Sequence, residues 1–171
     1  MPAEVETMMY VGEVPWHGFG TYVGDQPVTS DVALIKSGLD WRAEKKPLFT
    51  ATASKAEGGR LIAVPDNYAV VRDTDHAVLG VVGKSYKVLQ NADAFALLDS
   101  LVENGEVRYH TAGSLKGGRH VWMLAKVGTF EVVKGDAVDV FMLLYNVHDG
   151  SLMLRVVETD VRVVCANTAQ A

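Results

Sequence analysis

The sequence predicts an α+β fold in which a mainly antiparallel sheet, or sheets, of about eight strands carries two or three helices packed on one face. Short apolar segments with alternating character recur along the chain, and turn residues separate them, as in antiparallel sheets. Two further segments have helical periodicity and capping residues. With 171 residues, 49% hydrophobic and 22% charged, the composition is that of an ordinary soluble globular domain with a sizeable core.

The weakly patterned residues 1–14 are expected to be a flexible N-terminus. Residues 15–171 are expected to form a single domain. Near the end of the chain, Asn167-Thr168 resembles a helix cap without its helix, which indicates either the N-terminal part of a longer protein or a natural short form.

The first half of the domain alternates loops, strands and one short helix. Residues 15–20 form a compact loop between Pro15 and two glycines. Residues 29–38 predict a short helix with a Ser or Thr cap, a favourable Asp31 and a terminal Gly38. A strand is expected over residues 42–51, where Pro47 indicates an edge position or the end of the strand, and a loop over 52–60 follows.

The second half contains the clearest hairpin, which pairs residues 67–72 with 77–82. A helix over residues 92–101 follows, with Asn91 as its cap. Residues 138–147 are apolar on both faces and predict a central strand. The other predicted strands are residues 61–64, 106–112, 120–127, 129–133, 152–157 and 161–165.

Gly83-Lys84-Ser85 looks like the end of a phosphate-binding loop, which requires G-x-x-x-x-G-K-[ST]. Val78 occupies the position of the first glycine, so the backbone cannot wrap around phosphates there. The residues after Ser85 look extended rather than helical. The motif is therefore interpreted as a glycine bend, which argues against nucleotide hydrolysis.

The residues that usually carry chemistry are scattered. Five histidines and one cysteine show no metal-ligand spacing, although His110 and His120 could face each other across a hairpin. Cys165 lies in an apolar segment and predicts a buried small side chain. Because no nucleophile–base pattern stands out either, we expect a protein that is not an enzyme and has no cofactor and no metal. No apolar run is long enough to cross a membrane.

The net charge of −5 is unevenly distributed. Between Lys36 and Lys126 there are 13 basic and 10 acidic residues, so the middle of the chain could present a basic face. Basic and aromatic residues interleave there, as single-strand binders require. Either these cations contact DNA or they belong to a mixed solvated surface. The candidate phosphate contacts are Lys84, Lys87, Arg108, Lys116 and Arg119, and Tyr86 is the candidate stacking residue.

Four segments resemble the phage/plasmid-like proteins of unknown function. They are Pro15-Trp16-His17-Gly18-Phe19-Gly20, Lys46-Pro47-Leu48-Phe49, the stretch from Leu79 to Asn91, and Val161-Arg162-Val163-Val164-Cys165-Ala166-Asn167-Thr168. The likeness covers nearly the whole chain in the family's order. It implies a mobile-element origin in a phage or prophage and a location in the cytoplasm of a bacterial host cell. Family members are usually longer, and the family supplies no catalytic residues.

A second resemblance is one of pattern only. A short helix ending in Gly-x-x-Trp (Gly38 to Trp41), then antiparallel strands and a glycine turn into a helix, is similar to single-strand annealing proteins, which form rings around a basic groove. Together these features predict a phage accessory protein that binds single-stranded DNA, acts in recombination and is a homo-oligomer. The alternative is an effector that binds a host protein, with its acidic ends (residues 1–35 and 127–171) mimicking or blocking nucleic acid. An enzyme of unrecognised type is a third option.

Overall fold

A computed structural model describes residues 4–15, 17–51, 60–101, 108–133, 136–152 and 154–159. Within these residues the chain forms nine strands and two helices. In chain order they are β1 (Val5–Tyr10), β2 (Thr21–Tyr22), α1 (Ser30–Lys36), β3 (Ala43–Ala51), β4 (Leu61–Arg72), β5 (Val78–Gly83), α2 (Asn91–Leu101), β6 (Arg108–Leu115), β7 (His120–Val133), β8 (Asp136–Val147) and β9 (Arg155–Thr159).

The strands form two sheets. The larger sheet has the order β2-β1-β6-β7-β8-β9, and the smaller has the order β3-β4-β5. Only the short pair β1–β2 is parallel among the described pairings, and the other neighbours are antiparallel. The predicted hairpin corresponds to β4–β5, β3 is an edge strand as Pro47 indicated, and β8 is an inner strand as its apolar pattern indicated.

The α+β prediction was wrong, because the fold is mostly β. The two helices have only 7 and 11 residues, and they do not form a layer of their own. Several segments that the sequence divides are continuous strands. β4 runs through Pro65 and Asp66, with Asp66 in a left-handed conformation, and β7 runs through Gly128 at a shift in register. Such irregularities let a strand continue where turn residues indicate a break.

Two clusters of buried side chains lie on opposite faces of the larger sheet. In β7, Val121 and Met123 belong to the cluster that both helices and the smaller sheet share. Trp122 and Leu124 belong to the second cluster. This division follows from the period of two in a strand, which sends successive side chains to opposite faces.

The N-terminal prediction also needs correction. Within the segment 1–14 that was expected to be flexible, Val5–Tyr10 form a strand between β2 and β6, and Met8 and Met9 are buried. The single-domain organisation over residues 15–171 stays a prediction. The loop residues 52–59, the strand 161–165 and Cys165 lie outside the described residues. Neither described helix is long and apolar enough to span a bilayer.

Candidate nucleic-acid interface

Residues 84–90, which connect β5 to α2, have no regular structure, and side chains from distant strands hold them. The Lys45 ammonium group donates to three carbonyl oxygens of this connection, at 3.3 Å (Gly83), 2.8 Å (Lys84) and 3.1 Å (Tyr86). It also lies 4.5 Å from the centre of the Tyr68 ring. One cation therefore fixes the backbone that carries the predicted basic residues.

The C-terminal half of the connection is held in a similar way. The Gln90 side chain pairs with the backbone of Ala43, donating to its carbonyl at 2.9 Å and accepting from its N–H at 3.0 Å. The Asn146 amide donates to the Leu89 carbonyl at 3.1 Å. These side-chain bonds provide partners for a segment that pairs with no strand, and they join it to β3 and β8.

Tyr86 bridges the connection and β8. Its hydroxyl donates to the Val147 carbonyl at 2.7 Å, and burial raises its pKa. The ring is only partly buried and forms one side of a groove of about 360 Å³. Lys87 and Leu89 line the same side, and Asn146 and the segment 150–152 line the other. The groove thus combines an aromatic wall, a cation and apolar side chains.

Lys84 and Lys87 are both exposed, and Lys87 lines this groove. Lys84 is 3.9 Å from Asp66, but both side chains are about three-quarters exposed, at 76% and 75%. An ion pair so exposed contributes little, so a phosphate can compete with Asp66 for Lys84. Tyr86 and Lys87 therefore line one groove, and Lys84 is exposed two residues before Tyr86, near Asp66.

The remaining predicted cations divide into two groups. Arg119 is exposed, and its carbonyl accepts the His148 N–H at 2.7 Å, which places the β6–β7 turn next to the end of β8. Lys116 lies in the same turn. Arg108 lies at the opposite end of β6, roughly 25 Å away along a strand of eight residues. The structure thus groups Lys116 and Arg119 and separates Arg108 from both.

Two aromatic residues that interleave with these cations in the sequence cannot stack on a base. Tyr109 and Trp122 are fully buried, and the Tyr109 hydroxyl donates to Asp99 at 2.8 Å. The expected facing of His110 and His120 was also wrong. His120 pairs with Leu115 at the turn, whereas the His110 ring packs 5.1 Å from Phe141.

A chain of three polar side chains holds the segment after β8. His120 Nδ1 lies 2.6 Å from the Tyr145 hydroxyl, and His120 Nε2 lies 3.0 Å from Asp149 Oδ2. Burial raises the pKa of Tyr145 to about 12. Burial opposes ionisation of Asp149, but hydrogen bonds from Ser151 and His120 outweigh it and lower the pKa of Asp149. This network positions the 149–152 side of the groove.

β5 packs closely against the same segment. A Cβ atom at Gly80 would lie 2.4 Å from the Asp149 Cα, which is closer than any real contact. Glycine at this position therefore allows the two backbones to approach. This close approach explains why β5, which ends at the predicted bend at Gly83, also contains Gly80.

His148 connects the groove to the core. It is fully buried, and its Nε2 lies 3.0 Å from the Asn91 Oδ1, while the Asn91 Nδ2 donates to the Leu39 carbonyl. Burial lowers the pKa of His148 to about 4, so the ring is neutral at pH 7. Asn91 was predicted as the α2 cap, and its side chain instead joins His148 to the chain before β3.

The side chains that shape this interface carried no signal in the sequence. Lys45, Gln90, Asn146 and His148 bind groups 38 to 57 residues away along the chain. Their roles depend on tertiary neighbours and not on a local motif. Within the described residues, no three His, Cys, Asp or Glu side chains are grouped to hold a metal ion.

Residues 78–171 match a protein family described as a domain of unknown function, DUF932. The matched region begins at β5 and includes the residues 84–90, the β6–β7 turn and the segment after β8. No curated protein and no solved structure matches the sequence.

Proposed function

The chain belongs to the DUF932 family, whose function is unknown, and we propose that it binds single-stranded DNA without catalysing a reaction. The observation that carries this proposal is the position of exposed Lys87 and partly exposed Tyr86 on the wall of one groove, with exposed Lys84 two residues before Tyr86 in the same connection. Exposed cations next to a partly exposed ring are the combination that single-strand binding requires. Arg119 and Lys116 extend the cationic surface across the adjoining turn.

The single-stranded DNA would lie along this surface, with its phosphates in contact with the lysines and one base in the groove. Tyr86 offers the ring face, because its hydroxyl is already bound to Val147 and fixes the ring. Leu89 and Leu152 supply apolar surface for the edge of a base. Because Arg108 lies at the other end of β6, we assign it no contact in the same groove.

The proposed setting is recombination in a phage or other mobile element, in the cytoplasm of a bacterial host. A homo-oligomer would align grooves from several copies and extend the bound length of DNA. This setting depends on the resemblance of the sequence blocks, while the binding proposal depends on the groove.

A salt titration with a fluorescent oligonucleotide tests the proposal. With about four phosphate contacts, the logarithm of the affinity should fall with the logarithm of the salt concentration with a slope of roughly −3. The double variant Lys84→Gln/Lys87→Gln should reduce this slope by about 1.4. Lys46→Gln, whose lysine pairs with Glu44 on β3, is the matched control and should leave it unchanged.

Two results would reject the proposal. One is the absence of binding at about 50 mM salt, where phosphate contacts are strong. The other is an unchanged slope in the double variant. If DNA binding is absent and a host protein is captured in stoichiometric amount instead, the effector hypothesis replaces it.

A further inference from the structure

A larger cavity, of about 550 Å³, lies at the opposite edge of the six-stranded sheet. It opens between β1, the loop before β2 and the end of α1. Its size is within the range of small-molecule sites in proteins. All its lining residues lie between positions 6 and 38, outside the region that matches the family.

The walls of the cavity combine three apolar side chains with polar residues and glycines. Met8 lies at its base, and Phe19 and Ile35 line its sides, with exposed fractions of 37% and 62%. Gly18 and Gly20 flank Phe19, and both have positive φ angles. A side chain at Gly20 would come within 2.7 Å of the Met8 Cγ, so glycine is required for the loop to close over this base.

The charges at the cavity leave one free cation. Glu6 lines the cavity, but the Arg72 guanidinium binds its carboxylate through two bonds of 2.9 and 3.1 Å. Lys36 also lines it and forms no ion pair within the described part of the chain. Arg72 is shared with Asp75, so it compensates the charge of Glu6 only in part, while Lys36 has no carboxylate partner of its own among the described residues.

The end of α1 does not cancel this charge. Its last carbonyls would attract a cation if they were open. The Ser37 hydroxyl donates to the Ala33 carbonyl at 2.6 Å, and the Gly38 N–H donates to that of Ile35 at 3.1 Å. Because these carbonyls already accept hydrogen bonds, they do not compete with a ligand for the Lys36 ammonium group.

The edge of β1 adds backbone groups. The Tyr10 carbonyl faces β2, where it accepts the Val23 N–H at 3.1 Å. β2 pairs only with Met9 and Tyr10, so no described strand pairs with this edge of β1 before Met9. In a strand, alternate residues direct their backbone groups to the same edge. The register shift between Val5 and Thr7 interrupts this alternation at Glu6, so the edge of β1 before Met9 is uncovered without any particular Glu6 group being assigned to the cavity.

We propose that this cavity binds a carboxylate attached to an apolar group, with the carboxylate at Lys36 and the apolar group between Met8, Phe19 and Ile35. A free branched-chain acid and the C-terminal leucine of a peptide share this chemistry. The two sources differ in one respect, since only a peptide also carries backbone groups that can pair with the uncovered edge of β1.

Nuclear magnetic resonance titration of the ¹⁵N-labelled chain tests this inference, with 4-methylpentanoate and acetyl-Val-Leu as the two probes. Shifts should be confined to residues 6–8, 18–21 and 35–38. The amide of each probe, which lacks the charge, should bind roughly fivefold more weakly, the factor expected for an exposed ion pair. Lys36→Gln should lower the affinity for the acids to that for their amides. Phe19→Ala should lower the affinity for acids and amides by the same factor.

Lys46→Gln is the control for a general loss of positive charge and should not change the affinity. Binding of the peptide alone identifies a protein C-terminus as the ligand, and binding of both probes shows that the free acid suffices. Absence of saturable shifts up to about 10 mM, equal affinity of acid and amide, or shifts elsewhere in the chain would each overturn the inference. The cavity shares no residue with the DNA groove, so Lys36→Gln should leave oligonucleotide binding unchanged.

Discussion

Replacement of Lys45 by methionine tests whether one cation organises the connection between β5 and α2. Methionine retains the apolar stem of the lysine and removes its three donors. The bonds to the carbonyls of Gly83, Lys84 and Tyr86 are then lost, together with the contact to the Tyr68 ring.

The expected loss of unfolding free energy depends on how exposed these carbonyls are. A hydrogen bond from a charged donor contributes about 1.5–3 kcal/mol. Two of the three bonds are exposed, and water can replace the lysine there, so only the partly buried bond to Tyr86 counts in full. The exposed contact to the Tyr68 ring adds about 0.5 kcal/mol. We expect Lys45→Met to lower the free energy of unfolding by about 2 kcal/mol.

Urea denaturation at pH 7 measures this loss, with Lys46→Met as the matched control. Lys46 is the next residue on β3 and forms only an exposed ion pair with Glu44, so its replacement should cost less than about 0.5 kcal/mol. If the two variants unfold within about 0.5 kcal/mol of each other, Lys45 does not hold the connection and the reasoning fails. Lys45→Met should also weaken oligonucleotide binding without changing the salt slope, because its ammonium group binds carbonyls and not phosphates.

Three further predictions concern the residues around the groove. Gly80→Ala should destabilise the fold by about 1–3 kcal/mol in urea denaturation, because its Cβ meets the backbone of Asp149, whereas Gly83→Ala, with open space around it, should cost less than 1 kcal/mol. Tyr145→Phe should cost about 1–3 kcal/mol by the same measurement, because it leaves the buried His120 Nδ1 without a partner; an unchanged midpoint would contradict this. The pKa of His148 is about 4 in the fold and 6.5 in the unfolded chain, so the unfolded chain binds more protons between these values. Stability should therefore fall by up to about 3 kcal/mol as the pH decreases from 6.5 to 4, and His148→Gln should reduce this dependence in urea titrations at several pH values.

Local sequence patterns predicted single elements better than their assembly. The pairing of β4 with β5, the edge position of Pro47 and the inner position of β8 follow from alternation and turn residues, which act over a few neighbours. The division into two sheets and the minor share of helix did not follow. Alternation states which face of a strand is buried and does not state which strand lies beside it.

The candidate sites show the same limit. Tyr86 and Lys87 are adjacent in sequence, so their common position at the groove depends little on the rest of the fold. The separation of Arg108 from Lys116 could not, because an eight-residue strand places its two ends on different sides of the molecule. The cavity beside Lys36 had no sequence signal, since its walls come from three separate elements.

The sequence by itself determined the alternating segments that form β3, β4, β5 and β8, that Val78 excludes a phosphate-binding loop, and that basic residues flank Tyr86, but it did not indicate β1 or β2. These properties depend on the identity and order of adjacent residues. Only the tertiary structure decided which side chains hold the connection 84–90 and which charges stay free. Lys45 and Arg72 are both cations on strands, yet one binds backbone carbonyls and the other neutralises Glu6. The physical reason is that hydrogen bonds and ion pairs act over a few ångströms in space, and the fold alone sets which groups come within that distance.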